Sequence, residues 1–392
     1  MDIIKKYGCL LLVYIFHLFP IKKNKVFLYS YYGSQYGCNP KYITEYILQQ
    51  TPKGKYDLVW ALNDLKNSDI RHGIRKVKTM SIRYFYEMCT AKVIITNFRT
   101  TDFFIKRKNQ YYIQTWHSSL RLKRIEKDAI KYLPKQYVEM AKKDSGKCDL
   151  LLSGCGYSTE IFRRSFWYDG EIFTHGTPRN DVFFQKGIVD KDKLLYQLNI
   201  ERGTKIVLYA PTYRKNNDLT VYNLDYKALV KALKKKFGGN WICLIKLHPH
   251  LLPYSQQLRS AAGDVKDVTS FHDIQQLLYI TDFLITDYSS LMFDYSITNK
   301  PCYLYVPDEM EYMKKERELY FKLSEIPFIK AYSNQDLSEK IQQLDLVQYQ
   351  KSLKSFHHRI GSYETGRACE KLLNRIEEIC FEESGRDTVE AI

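Results

Sequence analysis

The sequence predicts an α/β protein of two domains, each a parallel sheet wound with helices, and three observations carry that expectation. Short apolar runs alternate with amphipathic ones along the chain, the pattern of strands alternating with helices. At 392 residues and 45% hydrophobic content, the chain is too long for one ordinary domain and can fill two cores. Apolar runs of the second half end in polar clusters, as strands do where they deliver residues to a crevice.

Taken in order, the first element is the apolar run Gly8 to Pro20, with Lys5 and Lys6 before it and Lys22, Lys23 and Lys25 after. A membrane span needs about 20 apolar residues, and this run is shorter. No small-residue cleavage site follows, which argues against a signal peptide. Three readings stay open for residues 1–24: an interfacial anchor, a buried first helix of the fold, and a true span.

Strands are expected at Lys25–Tyr31, Tyr56–Ala61, Ala91–Thr96, Tyr111–Thr115, Asp149–Ser153 and around Ile172–Phe173, with helices at Pro40–Gln50 and Ser81–Cys89. Further strands are expected at Lys205–Ala210, Trp241–Leu247, Phe283–Thr286 and Cys302–Val306, with helices at Tyr226–Phe237, Asp273–Tyr279 and Leu291–Thr298. This pattern reads as two Rossmann-like domains facing across a cleft. Their boundary falls near residues 185–203, where Lys186-Gly187 and Glu201-Arg202-Gly203 flank a charged helix, giving domains 1–195 and 196–392. The tail after Glu382 is polar and reads as a frayed end.

Sixty Lys and Arg against 44 Asp and Glu give a net charge of +16, which draws the chain to nucleic acid, an acidic lipid surface or phosphate-bearing substrates. The segment 121–147 concentrates that charge, with Arg121, Lys123, Arg124, Lys127, Lys131, Lys135, Lys142, Lys143 and Lys147 among apolar residues. It reads either as a solvated amphipathic face or as a patch for anionic headgroups. Nine cysteines without a CxxC pair suit a reduced cytosol. No HExxH motif or Cys/His cluster occurs, so a structural zinc site is not expected, no metal-ligating residue or cofactor is assigned, and metal dependence stays open. The absence of a Walker lysine loop, GxGxxG or GxSxG weakens ATPase, dehydrogenase and hydrolase readings.

The chemistry gathers at strand ends. One run ends in Pro211-Thr212-Tyr213-Arg214, a second in Lys246-Leu247-His248-Pro249, and a third in Thr286-Asp287-Tyr288-Ser289-Ser290. In an open parallel sheet these would converge, so Arg214, Lys246 and His248 are expected to face one anion. Ser289 and Ser290 stand where a strand gives way to a helix, either as an N-cap or as part of an anion site. Asp273 reads most simply as a cap. In the first half, Gln114-Thr115-Trp116-His117 places an imidazole at a strand tip, as a structural residue or as a general base.

With these clusters in place, the chain resembles the CDP-glycerol glycerophosphotransferase family, the teichoic acid primases and polymerases and their capsule-synthesis relatives. The resemblance runs in order through Tyr32-Gly33 with Asn39-Pro40-Lys41, Gln114-Thr115-Trp116-His117, Gly176-Thr177-Pro178-Arg179-Asn180-Asp181, Ala210-Pro211-Thr212-Tyr213-Arg214, Lys246-Leu247-His248-Pro249, and Thr286-Asp287-Tyr288-Ser289-Ser290 with Phe293-Asp294-Tyr295. It implies a GT-B fold, with a CDP-alcohol donor held by the C-terminal domain and an acceptor approached from the N-terminal one. The implied reaction is attack by an acceptor hydroxyl on the donor's β-phosphorus, giving a phosphodiester and CMP. On that resemblance His117 would be the base and His248 would stabilise the phosphate. Arg214, Ser289 and Ser290 would neutralise or hydrogen-bond the pyrophosphate, Lys246 would assist, and Thr286 and Asp287 would complete the donor loop. The implied acceptor is a lipid-linked or polymeric polyol phosphate or saccharide. The implied location is peripheral or monotopic, on the anionic cytoplasmic face of the membrane, with no nucleic acid partner. Two departures stand out: Ser118-Ser119 replaces the family's glycine after the tryptophan-histidine pair, and Glu364-Thr365-Gly366-Arg367 meets its C-terminal signature only loosely. The rival readings are a GT-B glycosyltransferase using a nucleotide sugar and a non-catalytic membrane or nucleic-acid binding protein.

Overall fold

The structure is a computed structural model that describes residues 3–66, 70–185, 187–214, 220–248, 265–315 and 318–382. Lys186, Pro249 and the tail beyond Glu382 lie outside the described residues.

Strands β1 (Lys22–Tyr29), β2 (Asp57–Leu62), β3 (Ile74–Lys78), β4 (Ala91–Thr96), β5 (Tyr111–Gln114), β6 (Leu150–Leu152) and β7 (Glu171–Phe173) pair in the order β3-β2-β1-β4-β5-β6-β7. Strands β8 (Lys205–Tyr209), β9 (Trp241–Ile245), β10 (Val265–Asp267), β11 (Phe283–Thr286), β12 (Cys302–Tyr305) and β13 (Ile329–Ala331) form a second sheet in the order β10-β9-β8-β11-β12-β13. The named pairings are parallel in both sheets. Helices cover both faces, which is why Val93, Ile94 and Ile95 in β4, and Phe283, Leu284 and Ile285 in β11, are fully buried as unbroken apolar runs. In each sheet the winding reverses beside its first strand, between β1 and β4 and between β8 and β11, and a crevice opens there at the carboxyl ends.

The sequence reading lacks β3, β10 and β13. All are edge strands with little to bury: Val77 is the one buried residue of β3, Ala331 the one of β13, and β10 has none.

Packing amends the division at residue 195 in two places. The helix Lys191–Gln197 contributes Leu194 and Leu195 to the core of the second sheet. The last helix, Ala368–Phe381, returns to the first sheet, where Leu372, Leu373, Ile376 and Cys380 pack with Val26, Leu28, Val93 and Ile95. Asp181 caps that helix by accepting the Ala368 and Cys369 N–H groups at 3.1 and 2.7 Å.

The first helix, Ile3–His17, is apolar on two sides. Cys9, Leu12, Val13 and Phe16 pack against the first-sheet core, while Tyr7, Leu11 and Tyr14 face outward and Leu18 follows them, exposed, at the helix end. No helix among the described residues is long and apolar enough to cross a membrane. The basic segment is not one amphipathic helix. It comprises a 3-10 stretch, Glu126–Tyr132, and a helix, Lys135–Ser145, and much of its charge is used within the molecule. Arg124 and Lys131 pair with Glu318, Lys143 pairs with Asp102, and Arg121 is buried.

Candidate active site

The acceptor-side geometry begins with a left-handed turn. Trp116 has φ +49°, and its strain is held from both sides. The Gln114 side-chain oxygen accepts the Trp116 N–H at 3.0 Å, and Asn39 Nδ2 donates to the carbonyls of Thr115 and Trp116 at 3.3 and 3.1 Å. The turn throws His117 off the tip of β5, with its ring stacked on Trp116 at 4.5 Å and 28°. His117 Nδ1 lies 3.3 Å from the Asn97 carbonyl. A carbonyl can only accept, so Nδ1 carries the hydrogen and Nε2 presents its lone pair.

His117 is exposed, although charged and buried groups surround its base. Desolvation, followed by the cations Arg121 and Arg179, pulls its pKa down to about 4, against the Asn97 carbonyl and Asp294. The direction is what counts chemically: His117 is a neutral imidazole at pH 7.

A glycine elsewhere makes room for the second serine of the Ser118-Ser119 departure. A Cβ on Gly154 would lie 2.7 Å from Ser119 Cα, so the close approach comes from the β6 side. Ser119 Oγ donates to Asp294 at 2.9 Å. Asp294 is wholly buried, forms an ion pair with Arg179 and accepts Asn180 Nδ2 at 3.1 Å. Glu364 accepts Thr177 N at 3.1 Å and Asn180 Nδ2 at 3.2 Å, and burial, with Asp294 adding, raises its pKa to about 8. Asp294 thus ties the His117 loop and the turn Pro178–Phe183 to the helix Leu291–Ser296 of the second domain. A second tie joins the domains: Lys41 Nζ lies 2.5 Å from Asp273, which also caps the helix Ile274–Ile280. Beside it, a cavity of about 710 Å³ opens between the domains, lined by Lys41, Tyr42, Glu45, Lys193 and Phe271 among others.

On the donor side the tips of β8, β9 and β11 do meet, but several expected ligand groups are spent on one another. Thr286 Oγ1 donates to the Ala210 carbonyl at 2.7 Å, and Asp287 accepts Thr212 N at 2.9 Å. Arg214 pairs with Asp287 at 3.0 Å and Asp308 at 2.7 Å, and stacks on Tyr288 and Tyr312 at 4.9 and 4.8 Å. Arg214, expected as a cation facing an anion, is matched by these two carboxylates and is 5% exposed. Lys246 Nζ donates to the carbonyls of Thr269 and Phe271, both at 2.6 Å, and desolvation lowers its pKa to about 8. His248 is accessible and stacks on Tyr213 at 5.7 Å and 27°. Ser289 Oγ accepts Leu291 N at 3.3 Å. Ser290 Oγ does not cap its helix and instead accepts Leu122 N from the first domain at 3.2 Å.

Sequence reasoning gave no role to Asn39, Asn97, Arg179, Asp294 or Glu364. Arg179 and Asp294 stood in quoted motifs, but only their pairing across 115 residues reveals what they hold.

Two doubly wound domains, joined at the carboxyl ends of their sheets around an accessible histidine on each side, define a GT-B-like fold with an interdomain site. The chain belongs to the CDP-Glycerol:Poly(glycerophosphate) glycerophosphotransferase family, whose model matches residues 11–378. It is 31% identical over 369 residues to the teichoic acid poly(glycerol phosphate) polymerase of Bacillus subtilis (strain 168), covering 91% of this chain and 49% of that protein, so it spans about half of that relative's length. With the teichoic acid poly(glycerol phosphate) polymerase of Bacillus spizizenii it shares 30% identity over 375 residues, 92% of this chain and 94% of the relative. A structure of a variant of the wall teichoic acid polymerase TagF, soaked with CDPG, superposes with a TM-score of 0.81 at 28% identity, covering 95% of this chain and 94% of that one.

Proposed function

We propose that this chain transfers glycerol phosphate or ribitol phosphate from a CDP-alcohol to an acceptor hydroxyl, forming a phosphodiester and releasing CMP, in the synthesis of a teichoic-acid-like or capsular polymer. The observation that carries this reading is His117, neutral, with Nδ1–H held on the Asn97 carbonyl and Nε2 free to take a proton. The acceptor oxygen loses its hydrogen to His117 Nε2 and bonds the β-phosphorus as the bond from that phosphorus to the CMP oxygen breaks. His248 sits on the donor side to stabilise the transferring and departing phosphates. Ser289 and Ser290 each accept a backbone N–H, so their own hydroxyl hydrogens remain to donate to phosphate oxygens. Thr286, Asp287 and Arg214 hold the shape of that loop, and Lys246 fixes the carbonyls of the loop after β10.

The acceptor is a lipid-linked or polymeric polyol phosphate or saccharide, met at the cytoplasmic membrane face. The outward Tyr7, Leu11, Tyr14 and Leu18, with exposed Lys5, Lys6, Lys22 and Lys23, suit shallow insertion into an anionic interface. The functional test incubates the full chain with CDP-glycerol, CDP-ribitol and a panel of nucleotide sugars while CMP is measured. CMP release from a CDP-alcohol is expected; turnover of a sugar donor with none from either CDP-alcohol overturns the reading.

A further inference from the structure

Arg121 stands apart from the other buried arginines. Arg99 pairs with Glu126 and Asp144, Arg179 with Asp294, and Arg214 with Asp287 and Asp308. Arg121 is 3% exposed, yet among the described residues no carboxylate lies within ion-pair distance of it. Its Nη2 donates to the Ser118 carbonyl at 3.0 Å, and its guanidinium lies over the Phe162 ring at 4.5 Å. Nε and Nη1 are buried without a hydrogen-bond partner. Burying an unmatched guanidinium with two idle donors is costly, and a fold that needed only to fill this space would use an apolar side chain.

We propose that Arg121 is a positioning residue of the phosphoryl-transfer site, an unmatched buried guanidinium that acts through its charge on His117 and on the anion bound beside it. The inference rests on the reading of His117 as the proton acceptor. The groups facing His117 are Arg121 from its own loop, Arg179 from the turn Pro178–Phe183, Asp294 from the helix Leu291–Ser296, and the Asn97 carbonyl at the tip of β4. Arg179 and Asp294 form an ion pair and largely cancel one another. The field left over at the imidazole is that of Arg121. Around Arg121 itself stand Cys155, Tyr320, Asp294 and Arg179; burial lowers its pKa to about 10, so it stays charged at neutral pH. A cation there disfavours imidazolium on the resting enzyme and favours the negative oxygens that gather when donor and acceptor meet. Once His117 has taken its proton, the same cation promotes its release, which resets the base.

The test uses Arg121→Met, which keeps the stem and removes the charge, with Arg121→Lys as the conservative control. Three results are expected for Arg121→Met. The melting temperature holds or rises, since an unmatched charge has gone. The His117 imidazole titration, followed by NMR without substrate and assigned with His117→Gln, moves up by about one pH unit. The acid limb of kcat/KM for CMP release moves up with it, and kcat on the plateau falls roughly tenfold. Arg121→Lys should return most of both shifts. A destabilised or unfolded Arg121→Met would make Arg121 structural and overturn the proposal, as would an unmoved His117 titration. The NMR arm needs no turnover, so a wild-type chain that releases no CMP sinks the proposed reaction while the titration still decides the role of Arg121.

Discussion

The tip of β5 and the tips of β8 and β11 carry motifs of similar appearance, yet the fold treats them differently. At β8 and β11 the charged and hydroxyl side chains satisfy each other: Arg214 is matched by Asp287 and Asp308, and Thr286 by the Ala210 carbonyl. At β5 the turn leaves groups unspent, with His117 accessible and using Nδ1 alone on the Asn97 carbonyl, and Arg121 holding two buried donors without partners. The difference teaches that a polar cluster at a strand end marks a site without telling which of its members build the loop and which meet the ligand. Paired and buried groups build; accessible or unmatched ones act.

The sharpest way to break this comparison is His117→Ala. On the proposed reaction it lowers kcat for CMP release by roughly 10²–10⁴-fold, with little change in thermal stability because the ring is partly open. CMP release within a few-fold of wild type would remove His117 from the chemistry. Arg214→Met is the counterpart on the donor side. Removing one member of a buried ion-pair cluster leaves Asp287 and Asp308 unmatched and should cost about 3–5 kcal/mol of stability in urea unfolding. If the variant instead keeps its stability and loses donor affinity, Arg214 is a ligand group and the contrast between the two tips falls.

Ser290→Ala probes the boundary between the two classes, because this hydroxyl accepts Leu122 N while its own hydrogen remains to donate. Losing one hydrogen bond to a charged phosphate should raise the KM for the CDP-alcohol by roughly tenfold. An unchanged KM with a weakened domain contact would place Ser290 among the builders.

This boundary is also where sequence reading runs out. The strands β4 and β11 are legible to the residue because they are buried on both faces, whereas β3 and β10 are edges whose few buried groups leave no apolar run. His117 is legible as a residue at a strand tip. The pairing of Arg214 is not legible, because one of its two carboxylates, Asp308, lies 94 residues away and belongs to no recognisable motif. Gly154 is equally mute in sequence. Only the fold shows that it makes room for Ser119, the second residue of the Ser118-Ser119 pair that stands where the resemblance expects a glycine.

The network behind His117 offers the subtlest test, since burial drives the Glu364 carboxyl upward, to about 8, beside the Arg179–Asp294 ion pair. A carboxyl whose folded pKa exceeds its unfolded value of about 4.5 binds a proton more tightly when folded. Its contribution is fully present below about pH 4.5 and is lost as pH rises through 8. His117 has the opposite sense: lowered from about 6.5 to about 4, it adds stability as pH rises through that range and is silent above it. The interval from pH 6.5 to 8 therefore isolates Glu364 from His117. Glu364→Gln keeps an acceptor for Thr177 N and has no proton to lose, so any packing penalty it carries is the same at every pH. Urea midpoints for wild type and variant should converge, or cross in favour of the variant, as pH rises across that interval. A constant gap would mean that Glu364 keeps one protonation state there, and the acceptor-side network would then join the fully matched groups of the donor side.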